Sequence, residues 1–146
     1  MKGDNYSILL VEDDDSYAEI VRRNFEESGK PHRLVRLRDG QAALDYIYRQ
    51  GEFSDSERYP RPGLIIIDLR LPMVDGLVVL NVIKSDPDLL RIPTLVLSTS
   101  AAEDDKAMAY ASHANSYLVK PLDCVRFSTM IEVMCDFWLG WNEPPL

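Results

Sequence analysis

Leu64-Ile65-Ile66-Ile67-Asp68-Leu69-Arg70-Leu71-Pro72-Met73-Val74-Asp75-Gly76 is the stretch on which the fold turns. Four apolar residues in a row, with no polar alternation, describe a strand buried on both faces, as in a parallel sheet covered by helices. Asp68 closes that run. In open parallel α/β sheets the carboxyl ends of the strands are where ligands bind and chemistry is done. The first apolar run, Ile8-Leu9-Leu10-Val11, ends alike, in Glu12-Asp13-Asp14-Asp15-Ser16. If the two strands are neighbours, their terminal carboxylates crowd together, and like charges so placed raise one another's pKa. Such crowding calls for a cation. Mg2+ fits the requirement, because it prefers oxygen ligands and often binds one or two carboxylates together with a phosphoryl oxygen. Asp14, Asp15 and Ser16 read differently, as residues that satisfy the free N–H groups and the dipole of the following helix, with Asp15 and Ser16 expected as its caps.

Apolar runs and helical periods alternate five times along the chain, the pattern of a doubly wound α/β domain. The predicted strands are 7–11, 33–37, 64–67, 94–97 and 116–119, and the predicted helices are 16–28, 40–49, 74–85, 103–112 and 123–139. Residues 50–63 contain Gly51, Pro60 and Pro62, lack a period, and read as a long surface loop. With 146 residues, 46% of them apolar, the chain has material for one domain, 1–146, with 137–146 as an aromatic and Pro-containing tail. A net charge of −8 and the lack of a Lys/Arg run argue against direct nucleic-acid binding. No membrane-spanning run or signal peptide is apparent, so a cytoplasmic location is expected. Cys124 and Cys135, three turns apart on one predicted helix, cannot reach each other and are expected in the core.

Two more strand ends carry polar groups. Thr94-Leu95-Val96-Leu97 runs into Ser98-Thr99-Ser100, and Ser116-Tyr117-Leu118-Val119 into Lys120-Pro121. A hydroxyl after one strand and an ammonium after the next are donors suited to an anion forming on Asp68. Taken singly, each is more often a cap or a solvated side chain. Their conjunction at four strand ends, in this order, carries the information.

In that conjunction the sequence resembles the receiver domain of two-component response regulators, from Ile8 to about Leu139. The resemblance implies a flavodoxin-like receiver fold, a five-stranded parallel sheet in the order 2-1-3-4-5. It also implies that Asp68 accepts a phosphoryl group from a phosphohistidine on a sensor histidine kinase or phosphotransfer protein. Glu12 and Asp13 bind Mg2+ in this reading: Asp13 and Asp68 directly, Glu12 through water, with the backbone carbonyl of Arg70 as a further ligand. Lys120 and Ser98 pair with phosphoryl oxygens. Ser98 and Tyr117 form the switch, Pro72 and Gly76 complete the motif, and the Lys120–Pro121 bond is expected to be cis. The resemblance further implies that enzymatic activity is limited to self-phosphorylation and autodephosphorylation.

Ser98 stands where Thr is commoner, keeping the hydroxyl and losing a methyl. Arg70 and Ser100 occupy positions that in the family modulate the lifetime of the phosphoryl group. Arg70 is expected either to hold the phosphate or to pair with an acidic residue when none is present. No output domain is expected, and the signal is expected to pass through a changed protein-interaction surface. Phe137 reads as the core residue of the tail, whereas Trp138 and Trp141 fit a partner or dimer contact equally well. The long loop and the aromatic tail resemble single-domain regulators associated with bacterial phytochromes, which implies a homodimer through the last helix, fifth strand and tail.

Other classes fit less well. A flavodoxin-like cofactor carrier needs a phosphate loop where Glu12-Asp13-Asp14-Asp15 stands, and an Asp-nucleophile phosphatase needs a second acid where Arg70 stands. A phosphorylation-independent receiver-like interaction module is the remaining alternative.

Overall fold

The structure is a computed structural model that describes residues 6–145. Residues 1–5 and Leu146, parts of the expected domain and tail, lie outside the described residues. Strands and helices alternate as β1 (Ser7–Val11), α1 (Asp15–Glu27), β2 (Arg33–Leu37), α2 (Gly40–Ile47), β3 (Leu64–Ile67), α3 (Gly76–Ser85), β4 (Thr94–Ser98), α4 (Glu103–Ala111), β5 (Ser116–Val119) and α5 (Cys124–Cys135). The strands form one parallel sheet in the order β2-β1-β3-β4-β5, the expected receiver order.

The unbroken apolar runs of β1 and β3 are explained by helices on both faces. Ile8, Leu10, Leu64 and Ile66 pack with Val21 and Phe25 of α1 and Phe127 and Ile131 of α5. Their alternates Leu9, Val11, Ile65 and Ile67 pack with Ala43 and Tyr46 of α2 and Val79 and Ile83 of α3. Alternation along a strand thus divides two cores rather than core from solvent.

Several local expectations need correction. Of the three residues expected at the start of α1, it is Asp14 that caps it, accepting from the Tyr17 N–H at 3.0 Å, and not Asp15 or Ser16. Asp15 begins the helix and pairs with Arg36 and Arg38. The third helix starts at Gly76 rather than 74, because Met73 takes a left-handed conformation (φ 70°) and the Gly76 N–H turns back to the Leu69 carbonyl at 2.8 Å. The Lys120–Pro121 bond is trans, the form ordinarily preferred. Cys124 is exposed and only Cys135 is in the core, where burial pushes its thiol up to about 12.

The last helix stops its α-helical winding at Cys135 and widens into a π-helical turn, Asp136–Trp141. Ile131, Met134 and Cys135 set its inner face, which Leu139 continues. Phe137 lies out of that phase and is 48% exposed, so the tail's core residue is Leu139 and not Phe137. Residues 50–63 are better anchored than a surface loop. Phe53 is buried after a 3-10 turn, Gly51–Phe53, and Tyr46, Phe53 and Tyr59 meet ring to ring. The Tyr46 hydroxyl donates to the Pro60 carbonyl at 2.8 Å, and the Arg33 guanidinium, on edge strand β2, donates to the carbonyls of Glu57 and Arg58.

Gly76 sits directly against the acceptor strand's end: a Cβ there would lie 1.9 Å from the Asp68 carbonyl oxygen. Backbone cannot yield as a flexible side chain can. Gly76→Ala is expected to lower the free energy of unfolding by about 2–3 kcal/mol, measured by urea denaturation.

Candidate functional site

Register places the acidic residues together. Val11 pairs with Ile67, so Glu12-Asp13 and Asp68 leave adjacent strands at the same level. The Asp68 N–H donates to the Val11 carbonyl at 3.1 Å and the Glu12 N–H to that of Leu37 at 3.0 Å, fixing both chain exits. Carboxylate oxygens of Glu12, Asp13 and Asp68 lie within 4.8 Å of one another. Glu12 is 1% exposed and Asp68 8%, whereas Asp13 faces solvent.

Lys120 supplies the opposing charge. Its main-chain N–H donates to the Ser98 carbonyl at 2.7 Å, which sets the side chain across the end of β4. Nζ then lies 2.5 Å from Glu12 Oε1 and 2.9 Å from Asp68 Oδ2, and 4.2 Å from the centre of the Tyr17 ring. Burial by itself would lower the pKa of this ammonium, but the hydrogen bonds and charges of Glu12 and Asp68 outweigh it and hold the pKa above its ordinary value. The other acceptor oxygen, Asp68 Oδ1, receives a longer bond, 3.3 Å, from the Arg70 N–H. Glu12 Oε2 accepts from the Asp14 N–H at 3.1 Å.

The donor set is three carboxylates against one ammonium, an excess of negative charge open to solvent on the Asp13 side. An all-oxygen cluster of this spacing suits a small, hard divalent cation better than a zinc-type ion, which favours nitrogen and sulfur.

Around this centre lie the other residues singled out from sequence. Ser98 is 1% exposed, and its Oγ accepts from the Ser100 N–H at 3.1 Å. Tyr117 is half-buried, its hydroxyl donating to the Ser100 carbonyl at 2.9 Å; its main-chain N–H donates to the Tyr110 hydroxyl at 3.1 Å. Of the two roles open to the Arg70 side chain, the structure shows pairing with an acid: Nη2 is 2.9 Å from each oxygen of Asp105 on α4. Two residues were missed from sequence. Tyr17, beneath the lysine, had only the signal of an aromatic one turn into α1. Asp105 was one of three consecutive acids, Glu103-Asp104-Asp105, and nothing local distinguishes it.

Residues 8–132 match the family model of the response regulator receiver domain. The chain is 43% identical over 142 residues to the probable methanogenesis regulatory protein FilR2 of Methanothrix harundinacea, covering 97% of this chain and 89% of that one. It is 44% identical to the response regulator Rcp1 of Synechocystis sp., covering 90% of this chain and 88% of Rcp1. The crystal structure of the Mn(2+)-bound form of Rcp1 superposes with a TM-score of 0.92 over 97% of this chain and 100% of that chain, at 42% identity. That of the phosphorylated cyanobacterial phytochrome response regulator RcpA gives 0.92 over 97% and 99%, at 38% identity.

Removing the ammonium would leave two buried carboxylates without their countercharge. Lys120→Met is expected to lower the free energy of unfolding by about 3 kcal/mol in metal-free buffer, and Mg2+ to restore part of the loss, as read from denaturation curves with and without the ion.

Proposed function

Because the chain belongs to the response regulator receiver domain family, we propose that it is a response regulator whose Asp68 accepts a phosphoryl group in a Mg2+-dependent reaction. The observation that carries this reading is the ion-paired cluster itself: a barely exposed Asp68 held by Lys120, with Glu12 and Asp13 beside it.

An Asp68 carboxylate oxygen attacks phosphorus in line with the imidazole nitrogen of a phosphohistidine. The new P–O bond forms as the P–N bond breaks, and the electron pair stays on the imidazole nitrogen, which takes a proton from solvent. Phosphoryl transfer of this kind needs positioning and charge stabilisation more than covalent assistance. Lys120 turns from the bare carboxylate to a phosphoryl oxygen, and the Ser98 hydroxyl donates to another. Glu12, Asp13, Asp68 and the Arg70 carbonyl would hold Mg2+, which when bound neutralises charge on the phosphoryl oxygens. The chain acts as a switch rather than a turnover enzyme, with self-phosphorylation and autodephosphorylation as its only reactions.

The readout follows from the resting contacts. Movement of Ser98 toward the phosphoryl group draws on the segment to which the Tyr117 hydroxyl is tied through the Ser100 carbonyl. Tyr117 then turns inward and the surface of α4, β5 and α5 changes. The donor is a sensor histidine kinase or phosphotransfer protein. The likeness to a phytochrome response regulator, RcpA, supports a phytochrome-type sensor.

Val133, Phe137 and Trp141 recur every fourth residue on the last helix and are 62%, 48% and 83% exposed. Together with the hollow lined by Leu118, Met130 and Trp138, they support a homodimer through the last helix, β5 and the tail.

Incubation with acetyl phosphate and Mg2+ should add one phosphoryl mass, acetate leaving, with no adduct for Asp68→Asn or without Mg2+. The lack of an adduct, together with no beryllofluoride binding, would favour a phosphorylation-independent interaction module. Light scattering is expected to give twice the chain mass, and Trp141→Asp with Phe137→Asp to give a monomer.

A further inference from the structure

Asp105 occupies a place in the molecule out of proportion to its position as the third residue of α4. Its neighbours Glu103 and Asp104 are exposed, and Glu103 faces Lys106 at 3.4 Å. The Asp105 side chain is only 17% exposed and collects three hydrogen bonds: two from Arg70 Nη2 at 2.9 Å, and one from Ser100 Oγ at 2.5 Å. Ser100 in turn donates its N–H to Ser98 Oγ and accepts the Tyr117 hydroxyl on its carbonyl. One carboxylate therefore ties together the loop after the acceptor, the segment after β4, the first turn of α4 and, through Ser100, strand β5.

We propose that Asp105 is a positioning residue that latches the resting state, holding Arg70 and the Ser98–Ser100 segment until a phosphoryl group on Asp68 displaces it as Arg70's partner. The proposal rests on Asp68 being a phosphoacceptor, as set out above. Arg70 is attached to both rivals. Its N–H meets Asp68 Oδ1 at 3.3 Å while its guanidinium reaches away to α4. Forming the acyl phosphate puts a more negative group, with more acceptor oxygens, two residues from that guanidinium. A planar guanidinium binds phosphoryl oxygens with paired hydrogen bonds, as it does a carboxylate.

It cannot satisfy both at full strength. Contacts to Asp105 present at rest and lost on phosphorylation bias the equilibrium toward rest by their own free energy. Ser100 and Arg70 both hold the Asp105 carboxyl below its usual range, in keeping with a charge stabilised in the resting arrangement. Release of Asp105 frees Ser100 at the same time, so the segment bearing Ser98 loses its anchor on α4 as the phosphoryl group begins to attract it.

The test is the affinity for beryllofluoride in excess Mg2+, measured by isothermal titration calorimetry. Asp105→Ala is expected to tighten binding roughly three- to tenfold. In an Arg70→Ala background the same change should tighten binding clearly less, because only the Ser100 contact is left to release. Asp105→Asn keeps an acceptor for Ser100 and removes the charge facing Arg70; it should tighten binding in the same direction, and it serves if the alanine variant folds poorly. Equal tightening with and without Arg70, or none with either Asp105 variant, would overturn the latch. Failure of the unaltered protein to bind beryllofluoride would overturn the phosphoacceptor reading, and the latch with it.

Discussion

The buried Lys120 ammonium is the constraint on which the rest of the site depends. Two carboxylates from adjacent strands, Glu12 and Asp68, are almost removed from water, and the charge that faces them there is a cation of equal seclusion, 2% exposed in its side chain. The cation comes from β5, which is not a neighbour of β3; β4 stands between them. Lys120 must therefore cross the end of β4, and it does so over Ser98, to whose carbonyl its own main chain is bonded. A bulky side chain at that strand end would stand in the way. The order of the strands, the small residue after β4 and the length of a lysine are thus parts of one requirement.

Electrostatics also gives the site a means to communicate. The charges at the strand ends are met by hydrogen bonds from segments that belong to different helices, so any change of charge on Asp68 alters the balance of several loops at once. Ser98, Ser100 and Tyr117 are connected by main-chain and hydroxyl contacts, which are directional and either made or broken. A packed apolar contact would yield gradually; a short relay of this kind favours two discrete arrangements.

The sheet and its chemistry were legible because both depend on patterns carried within short windows. The runs 8–11 and 64–67 announced strands buried on both faces, and their acidic ends announced the site. Helix ends were less legible. Nothing in Pro72-Met73-Val74-Asp75 reveals that Met73 adopts a left-handed conformation and delays α3 to Gly76. The exposure of Phe137 and the burial of Leu139 follow the phase set by Ile131, Met134 and Cys135, with Phe137 in line with the exposed Val133; the size and apolarity of a Phe near the chain end conceal that phase. Asp105 and Tyr17 gained their positions from tertiary packing, and the contacts that single them out, Arg70 thirty-five residues away and Lys120 just past β5, are invisible locally.

The edges of the sheet have a further consequence. On β5, the Tyr117 N–H is already taken by the Tyr110 hydroxyl of α4, and on β2 the Arg33 side chain draws the segment around Glu57 and Arg58 toward the strand. An edge strand with free amides is a template on which a strand from another molecule can grow, without limit and with little regard to sequence. With that amide taken on β5 and a side chain drawn across the flank of β2, encounters between copies are steered away from open-ended polymerisation and toward contacts made by side chains, whose shape fixes a stoichiometry.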